Sequence, residues 1–469
     1  MNEKLRGYIH HTVIDPPLRG VCPSFGVDLT AVGRHSALAL SRRRVQDKGM
    51  LWIRLGLVGS PALLAFDPAI VGLSAAALLV AAWGLVFWRA WSDRKAAFQV
   101  ITEARPASEQ APPLHPTVED RLTALKKTNV IVFADGQGDP FIGSGKRLNQ
   151  FHFNPIDITR ASVDSNGRKA TLKPFDAVDL HHYLATHVPS LGFDGLLVRN
   201  RLYVRGDFAR QVSGLLPDAF GPPAPTVGKD WVKSGALNPS PYARTFICLE
   251  RILSGGDLVV CMYVRAWLEQ NLLSIERNIY FLPPVLDRYR PTDDFLVGGR
   301  IGIAVRSFAQ ACRFTLPIVF GAKTPLSTAD TLRQPYGKEM KDARKKIQLG
   351  LNHDYGARVS LREAVAAYDT SEHYEDVDVI DSVKRLQRRL LDCIQEFLKD
   401  HGVDDSEFRA QLQVINQSIS NIDTVTAGNV VIGGEGNIIS GHGQVNSPAQ
   451  GQGGAQQQGP PPGGPSSQH

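Results

Sequence analysis

The chain has 469 residues, 43% of them hydrophobic and 21% charged, which is enough for two or three folded units. Its formal charge of +6 is confined to residues 1–100, where twelve Lys/Arg meet six Asp/Glu; the remaining residues hold forty of each and balance. No basic stripe interleaved with aromatics occurs outside that region, so nucleic acid is excluded as the expected partner and anionic lipid headgroups take its place.

Residues 1–48 are punctuated by Pro and Gly and only loosely periodic, and are expected to form a cytoplasmic N-terminal tail, partly disordered. A transmembrane helical hairpin is expected over residues 49–90. Its second arm is the clearer one: Ala69 to Trp88 reads AIVGLSAAALLVAAWGLVFW, twenty positions without an ionisable side chain. At ~1.5 Å per residue a helix of that length crosses a bilayer core of ~30 Å. The first arm, Met50 to Phe66, carries Arg54 and Pro61 but is otherwise apolar. Arg54 lies one turn inside, so its stem can return the guanidinium to the headgroups. Arg42, Arg43, Arg44 and Lys48 precede the pair, and Arg89, Arg94 and Lys95 follow it, while Asp67 is the only charge between the arms. Positive charge at both outer ends places both termini in the cytoplasm, as a multi-pass protein of the plasma membrane. About fifty polar residues come first, which argues against a cleaved signal peptide.

Residues 91–125 read as a polar helix extension and a Pro/Ala-rich linker. A cytosolic α+β domain built on an antiparallel sheet is expected over 126–336. Thr128–Phe133 has the composition of a buried strand, Pro174–Val188 of a helix, and Gly195–Gly206 of a tight hairpin. Arg244–Leu253, Asp257–Trp267 and Leu272–Leu282 predict an antiparallel meander that ends at Pro283-Pro284. Phe295–Phe320 is apolar but holds Arg300, Arg306 and Arg313; each costs ~2.5–3.5 kcal/mol at a bilayer centre, so this stretch is assigned to the soluble domain.

Helix is expected over 337–419. Val379, Ile380, Val383, Leu386, Leu390, Ile394 and Phe397 recur at threes and fours, with Lys384, Arg385, Arg388 and Arg389 on the outer face. From 420 to 446 the chain carries an eight-residue near-repeat, clearest between GNVVIGGE and GNIISGHG. Asn429, Val430, Val431, Ile432, Asn437, Ile438 and Ile439 are its candidate assembly residues, through backbone pairing and β-branched packing between chains. Residues 447–469 are Gln, Gly, Pro and Ser without charge before His469, and are expected to be disordered.

Chemistry is sparse. The loop Ala134–Lys146 follows a strand and is rich in glycine, but Pro140 stands where a Walker A loop needs glycine and Arg147 where it needs Ser or Thr. What remains is a backbone nest for an anion, formed at Gly143 and Gly145 with Lys146 and Arg147 beside it. His181, His182 and His187 lack the three- or four-residue spacing of helical metal ligands and read as surface or packing side chains. The acidic run Glu372 to Asp381 lacks the glycine of a calcium loop and suits a helix N-terminus instead. Five scattered cysteines make no CxxC; Cys248 and Cys261 fall in adjacent strands and are expected to be reduced. No catalytic residue, cofactor or metal is therefore assigned.

The basic-flanked hairpin, NVIVFADGQGDPFIGSG, the meander ending NIYFLPPV, YGARVSLREAVAAY, and RLLDCIQEFLKDHGVDDSEF together resemble a group of uncharacterised actinobacterial two-span membrane proteins over residues 40 to 440. That resemblance implies no activity and assigns no residue a role. The near-repeat is similar to bacterial amyloid signalling motifs over about twenty-five residues. The expectation is a non-catalytic, membrane-anchored cytosolic scaffold or signalling protein that self-assembles through its tail. The alternative is a membrane-tethered enzyme or nucleotide/anion sensor using the loop 134–146.

Overall fold

The computed structural model describes residues 9–14, 18–59, 68–290, 300–319, 328–368 and 373–420, with 23, 104, 137, 164 and 359 excepted, and the short segments 429–431 and 438–440. Two long helices open it, α1 (Leu29–Gly59) and α2 (Pro68–Thr102). They run antiparallel with one register throughout. Gly49 faces Leu85 and Gly56 faces Leu78, with no room at Gly49 for a Cβ, which would lie 2.5 Å from Leu85 Cδ2. Further along, Arg89 donates to Gln46 Oε1 at 2.6 Å, and Arg42 donates to Ser92 O at 2.9 Å and Asp93 at 3.2 Å. Arg43 pairs with Asp47 at 3.0 Å. Part of the basic flank is thus neutralised within the helix pair, which moderates its pull on headgroups. Gly72–Thr102 is the one helix among the described residues long and apolar enough to cross a membrane. The first arm is described only as far as Gly59.

Both helices continue past the apolar stretch as a polar stalk. Arg34 joins Glu119 at 2.6 Å and Ser108 O at 2.7 Å, tying α1 to α3 (Pro116–Leu125) and the short turn before it. The segment expected as a tail is folded where it is described. Ile9, Val13, Leu18, Cys22 and Phe25 are buried, and Gly20 N donates to Tyr355 O at 2.7 Å. Its apolar residues are too widely spaced to read as one element, because each packs on a different part of the domain.

The centre is a seven-stranded sheet with path β1-β4-β5-β6-β7-β2, and β3 pairs beside β2 on β7. The strands are β1 (Val130–Phe133), β2 (Lys146–His152), β3 (Ile156–Asp157), β4 (Leu196–Arg205), β5 (Ala243–Leu253), β6 (Leu258–Glu269) and β7 (Leu272–Leu282). The β5–β7 meander has the expected antiparallel form. Two expectations are corrected. The sheet is mixed, because β1 runs parallel to β4. And Gly195–Gly206 is one continuous strand, not a hairpin: Arg201, at its middle, pairs with Glu250 of β5 while both are buried. A turn at that point would strand two charges inside the protein, at a cost of roughly 3–5 kcal/mol.

One face of the sheet is aliphatic. Ile247, Leu249, Val260, Met262, Val264, Ile275 and Ile279 meet α4 (Ala177–His187), α9 (His373–Asp400) and α10 (Ser406–Ser420). The stripe from Val379 to Phe397 is seated in this core as its spacing predicts, with Ile380 at the edge. Two other helices lie between: α5 (Lys229–Leu237) beside β4 and β5, and α6 (Arg300–Val319). The second of these overturns an assignment. Ala311 is buried among Met50, Ile53, Ala82 and Val86, and Trp83 Nε1 donates to Ala304 O at 3.0 Å, so α6 packs on the hairpin and not in the soluble core. After it, α7 (Thr328–Gln348) returns to the domain through Met340, Ala343 and Ile347, and α8 (Leu361–Ala364) is a single turn. In the near-repeat, β8 (Asn429–Val431) pairs antiparallel with β9 (Ile438–Ser440) of the same chain. Ile432, Asn437 and the segment from 441 onward lie outside the described residues.

Candidate functional site

The second face of the sheet differs from the first in kind. Along β4 to β7 every second residue points to it, and these include Tyr203, Arg201, Phe246, Cys248, Glu250, Cys261, Tyr263, Arg265, Glu276, Asn278 and Tyr280, all buried. Buried polar groups are retained only where they are paired. Arg265 bonds Glu276 at 2.8 Å, Asn278 donates to the same carboxylate at 2.8 Å, and Arg201 takes Glu250. Burial lowers the Arg265 pKa, and nearby Arg244 adds to the effect. Cys248 and Cys261 lie one diagonal step apart on this face as free thiols; burial pushes Cys261 up to about 12, which keeps it protonated and unreactive.

The glycine-rich loop covers part of this face, anchored by one ring. Phe141 stacks on Tyr263 at 4.2 Å between centroids and meets Tyr203, Phe246 and Tyr280 at 4.9–5.3 Å. Such pairs contribute ~0.5–1.5 kcal/mol each beyond area burial. Ser144 Oγ and Tyr263 OH share a hydrogen bond of 2.5 Å. Gly143 (φ +92°) and Gly145 (φ +86°) then turn their N–H groups to one carboxylate, that of Glu363 on α8, at 3.0 and 2.9 Å. A Cβ at Gly145 would also collide with Phe281 O. The N–H groups expected to receive an anion here are thus taken by a carboxylate of the same chain. Burial raises the Glu363 pKa while the two N–H donors pull it back.

Beside the loop is a cavity of about 460 Å³. Its floor is Tyr203, Phe246, Glu276, Asn278 and Tyr280, and its walls are Phe133 to Gly136, Gly138 to Phe141, Arg147, Gln150, Arg205 and Pro241 to Arg244. The charges on its rim fall into two groups. Arg205 is held by Asp207 at 2.5 and 2.6 Å, lies 3.5 Å from Asp135, and stacks over Tyr242 at 4.5 Å. Asp139 accepts from Tyr280 OH at 2.7 Å and Phe141 N at 3.1 Å; burial and that carboxylate together raise the Tyr280 pKa. Arg147 and Arg244 differ. Arg147 donates to the neutral Gln150 at 3.0 Å and Arg244 to Ser240 O at 3.0 Å, and no carboxylate of the described residues lies within 4.0 Å of either. The lining as a whole balances three guanidiniums against Asp135, Asp139 and Glu276, but two half-buried guanidiniums are free of direct ion pairs at a cavity with aromatic walls, which suits an anion with a flat body.

Of the residues expected here, Arg147 lines the cavity, Lys146 is half-buried outside it, and Gly143 and Gly145 are committed to Glu363. Arg205, Tyr242, Arg244, Glu276, Asn278 and Tyr280 were not anticipated. The signal for Glu276, Asn278 and Tyr280 lies in β7, where they recur at alternate positions as Cys261, Tyr263 and Arg265 do in β6; Arg205, Tyr242 and Arg244 carry no such pattern. His181 is a packing residue, buried with Nε2 accepting from Ala266 N at 3.2 Å, and His182 is exposed. Among the described residues no cluster of His, Cys, Asp or Glu could hold a metal.

A family model described as an AbeC-like domain matches residues 153–437, more than half of the chain. The matched segment holds β3 to β8 and the cavity floor; the hairpin, β1, the glycine-rich loop and β2 precede it. No curated protein and no solved structure matches.

Proposed function

We propose that this chain, which belongs to the AbeC-like domain family, is a membrane-attached binding protein whose sheet-face cavity takes a small anion carrying a flat or apolar portion. The observation that carries this reading is the pair Arg147 and Arg244, two cavity guanidiniums without a carboxylate partner. A charge left half-buried and unpaired is costly in a protein with no use for it. Aromatic side chains on floor and wall supply the apolar contact; the described lining contains no Ser, Cys, His or Lys, and its carboxylates Asp139 and Glu276 are already engaged, by Tyr280 and Phe141 N and by Arg265 and Asn278. Binding is favoured over catalysis on that ground.

Attachment rests on Gly72–Thr102, with α1 leading into the first arm of a multi-pass hairpin whose basic flanks keep both termini in the cytoplasm of a plasma membrane. The resemblance to actinobacterial two-span proteins agrees with this. On this reading the cavity domain is a cytosolic sensor or scaffold, and the near-repeat, whose copies pair as strands within one chain, joins chains by the same backbone bonding. The test is a thermal-shift and calorimetric titration of the full chain in detergent with inorganic phosphate, adenosine monophosphate and benzoate. At least one should bind, and lose binding in Arg147→Gln and Arg244→Gln. No binding by any anion, or binding indifferent to both substitutions, refutes the cavity as an anion site. Tagging both ends tests orientation, because protection of only one terminus by intact membrane overturns the hairpin.

A further inference from the structure

Helix α6 has three sides. Ala304, Ser307 and Ala311, small residues at spacings of three and four, face the hairpin. At ~100° per residue, Ile301, Val305 and Phe308 form a stripe roughly a quarter turn away from that seam. They are 81%, 63% and 56% exposed, which is unusual for large apolar side chains in register. Arg306, Gln310 and Arg313 are also exposed and lie roughly 110–180° round from the apolar stripe. The helix is therefore basic on one side, apolar on another and small where it touches its neighbour.

We infer that α6 lies in the bilayer interface beside the hairpin, its Ile301–Val305–Phe308 stripe among acyl chains and Arg306 and Arg313 among anionic headgroups. This rests on the membrane attachment proposed above. Three observations select lipid as the occupant. The hairpin on which α6 packs exposes large apolar side chains of its own, namely Trp52, Leu55, Leu73 and Val80. The contact level is that of Trp83, ~9 Å below Arg89 at ~1.5 Å per residue, within the ~5–10 Å to which the apolar face of an interfacial helix sinks beneath the headgroups. The division into apolar and basic sides is that of an interfacial helix, and small residues at the seam let it approach α2 closely. The arginines that argue against a third span are compatible with a helix whose charges never leave the headgroup layer.

The full chain carrying Cys312→Ser is spin-labelled singly at Val305→Cys, Gln310→Cys, Val80→Cys and Val163→Cys, and reconstituted in phosphatidylcholine–phosphatidylglycerol vesicles. Accessibility to oxygen and to a water-soluble nickel chelate is then compared. Positions 305 and 80 should favour oxygen over nickel at least tenfold more than 163, an exposed position of the soluble domain, whereas 310 should favour nickel. Nickel access at 305 with protection at 80 overturns the placement of α6 alone. Nickel access at both overturns the attachment and α6 together. Hydroxyl-radical footprinting of the unsubstituted chain in the same vesicles gives a second measurement: Phe308 should be oxidised at least fivefold less than Phe220, and equal oxidation of these two exposed rings refutes the placement.

Discussion

His181 offers a test of the packing behind the cavity that can be worked to a number. It sits on α4 against β6, 2% exposed, and accepts the Ala266 N–H through Nε2, so it is held neutral. Burial is the largest cause that lowers its pKa from 6.5 to about 4. A base whose folded pKa is depressed stabilises the fold fully above the unfolded value and loses that contribution as pH falls towards the folded one. At pH 5 the unfolded histidine is almost wholly protonated and the folded one about one-tenth so, which removes roughly 2 kcal/mol relative to pH 8; the limit near pH 4 and below is about 3 kcal/mol. The perturbation is His181→Gln, which retains an acceptor and cannot titrate. Guanidinium unfolding of both full-length proteins in detergent, followed by tryptophan fluorescence at pH 8, 6.5 and 5, isolates the histidine because every other titration cancels in the difference. The variant should gain about 2 kcal/mol on the parent between pH 8 and pH 5, almost all of it below 6.5. Parallel pH profiles would refute the reasoning.

Three further outcomes are expected. For whichever anionic probe binds, Arg147→Gln and Arg244→Gln should each raise Kd about tenfold to a hundredfold, the range of a lost charge-assisted hydrogen bond, while Lys146→Ala leaves it within about twofold; calorimetry decides. Glu363→Ala orphans the Gly143 and Gly145 N–H groups and should lower stability by about 2–4 kcal/mol in thermal unfolding, with Glu363→Gln, which keeps one acceptor oxygen, losing about half as much. Deleting residues 428–443 should reduce oligomer mass measured by light scattering in detergent, and an unchanged mass removes the near-repeat from assembly.

What could be read from the sequence was local. The stripe from Val379 to Phe397 announces its helix because its period is set by neighbours three and four apart, and β5–β7 announce themselves because each turn joins strands that pair with one another. The parallel β1–β4 contact was hidden because its partners are some seventy residues apart. Arg201 falls in the middle of the stretch that reads as a hairpin, and only the folded sheet brings its side chain to Glu250. The α6 seam was missed because three arginines weigh heavily in any transfer sum, whereas Ala304, Ser307 and Ala311 matter only once a partner helix is present. The same holds for the cavity. Arg147 was visible beside the loop, but Arg244 comes from the strand β5, and only the sheet brings the two to one rim.

The two-sided sheet has an evolutionary corollary. Odd and even positions of one strand answer to different masters: one set must suit the helices beneath, the other whatever occupies the hollow above. Exchanges confined to Arg147, Gln150, Tyr242 and Arg244, which line the hollow without joining the Arg265–Glu276 pair, would redraw ligand preference while the underside keeps its fit. Divergent members of such a lineage could then recognise unlike molecules on an unaltered chassis, and a library built at those four sites is the direct way to see how far recognition can drift.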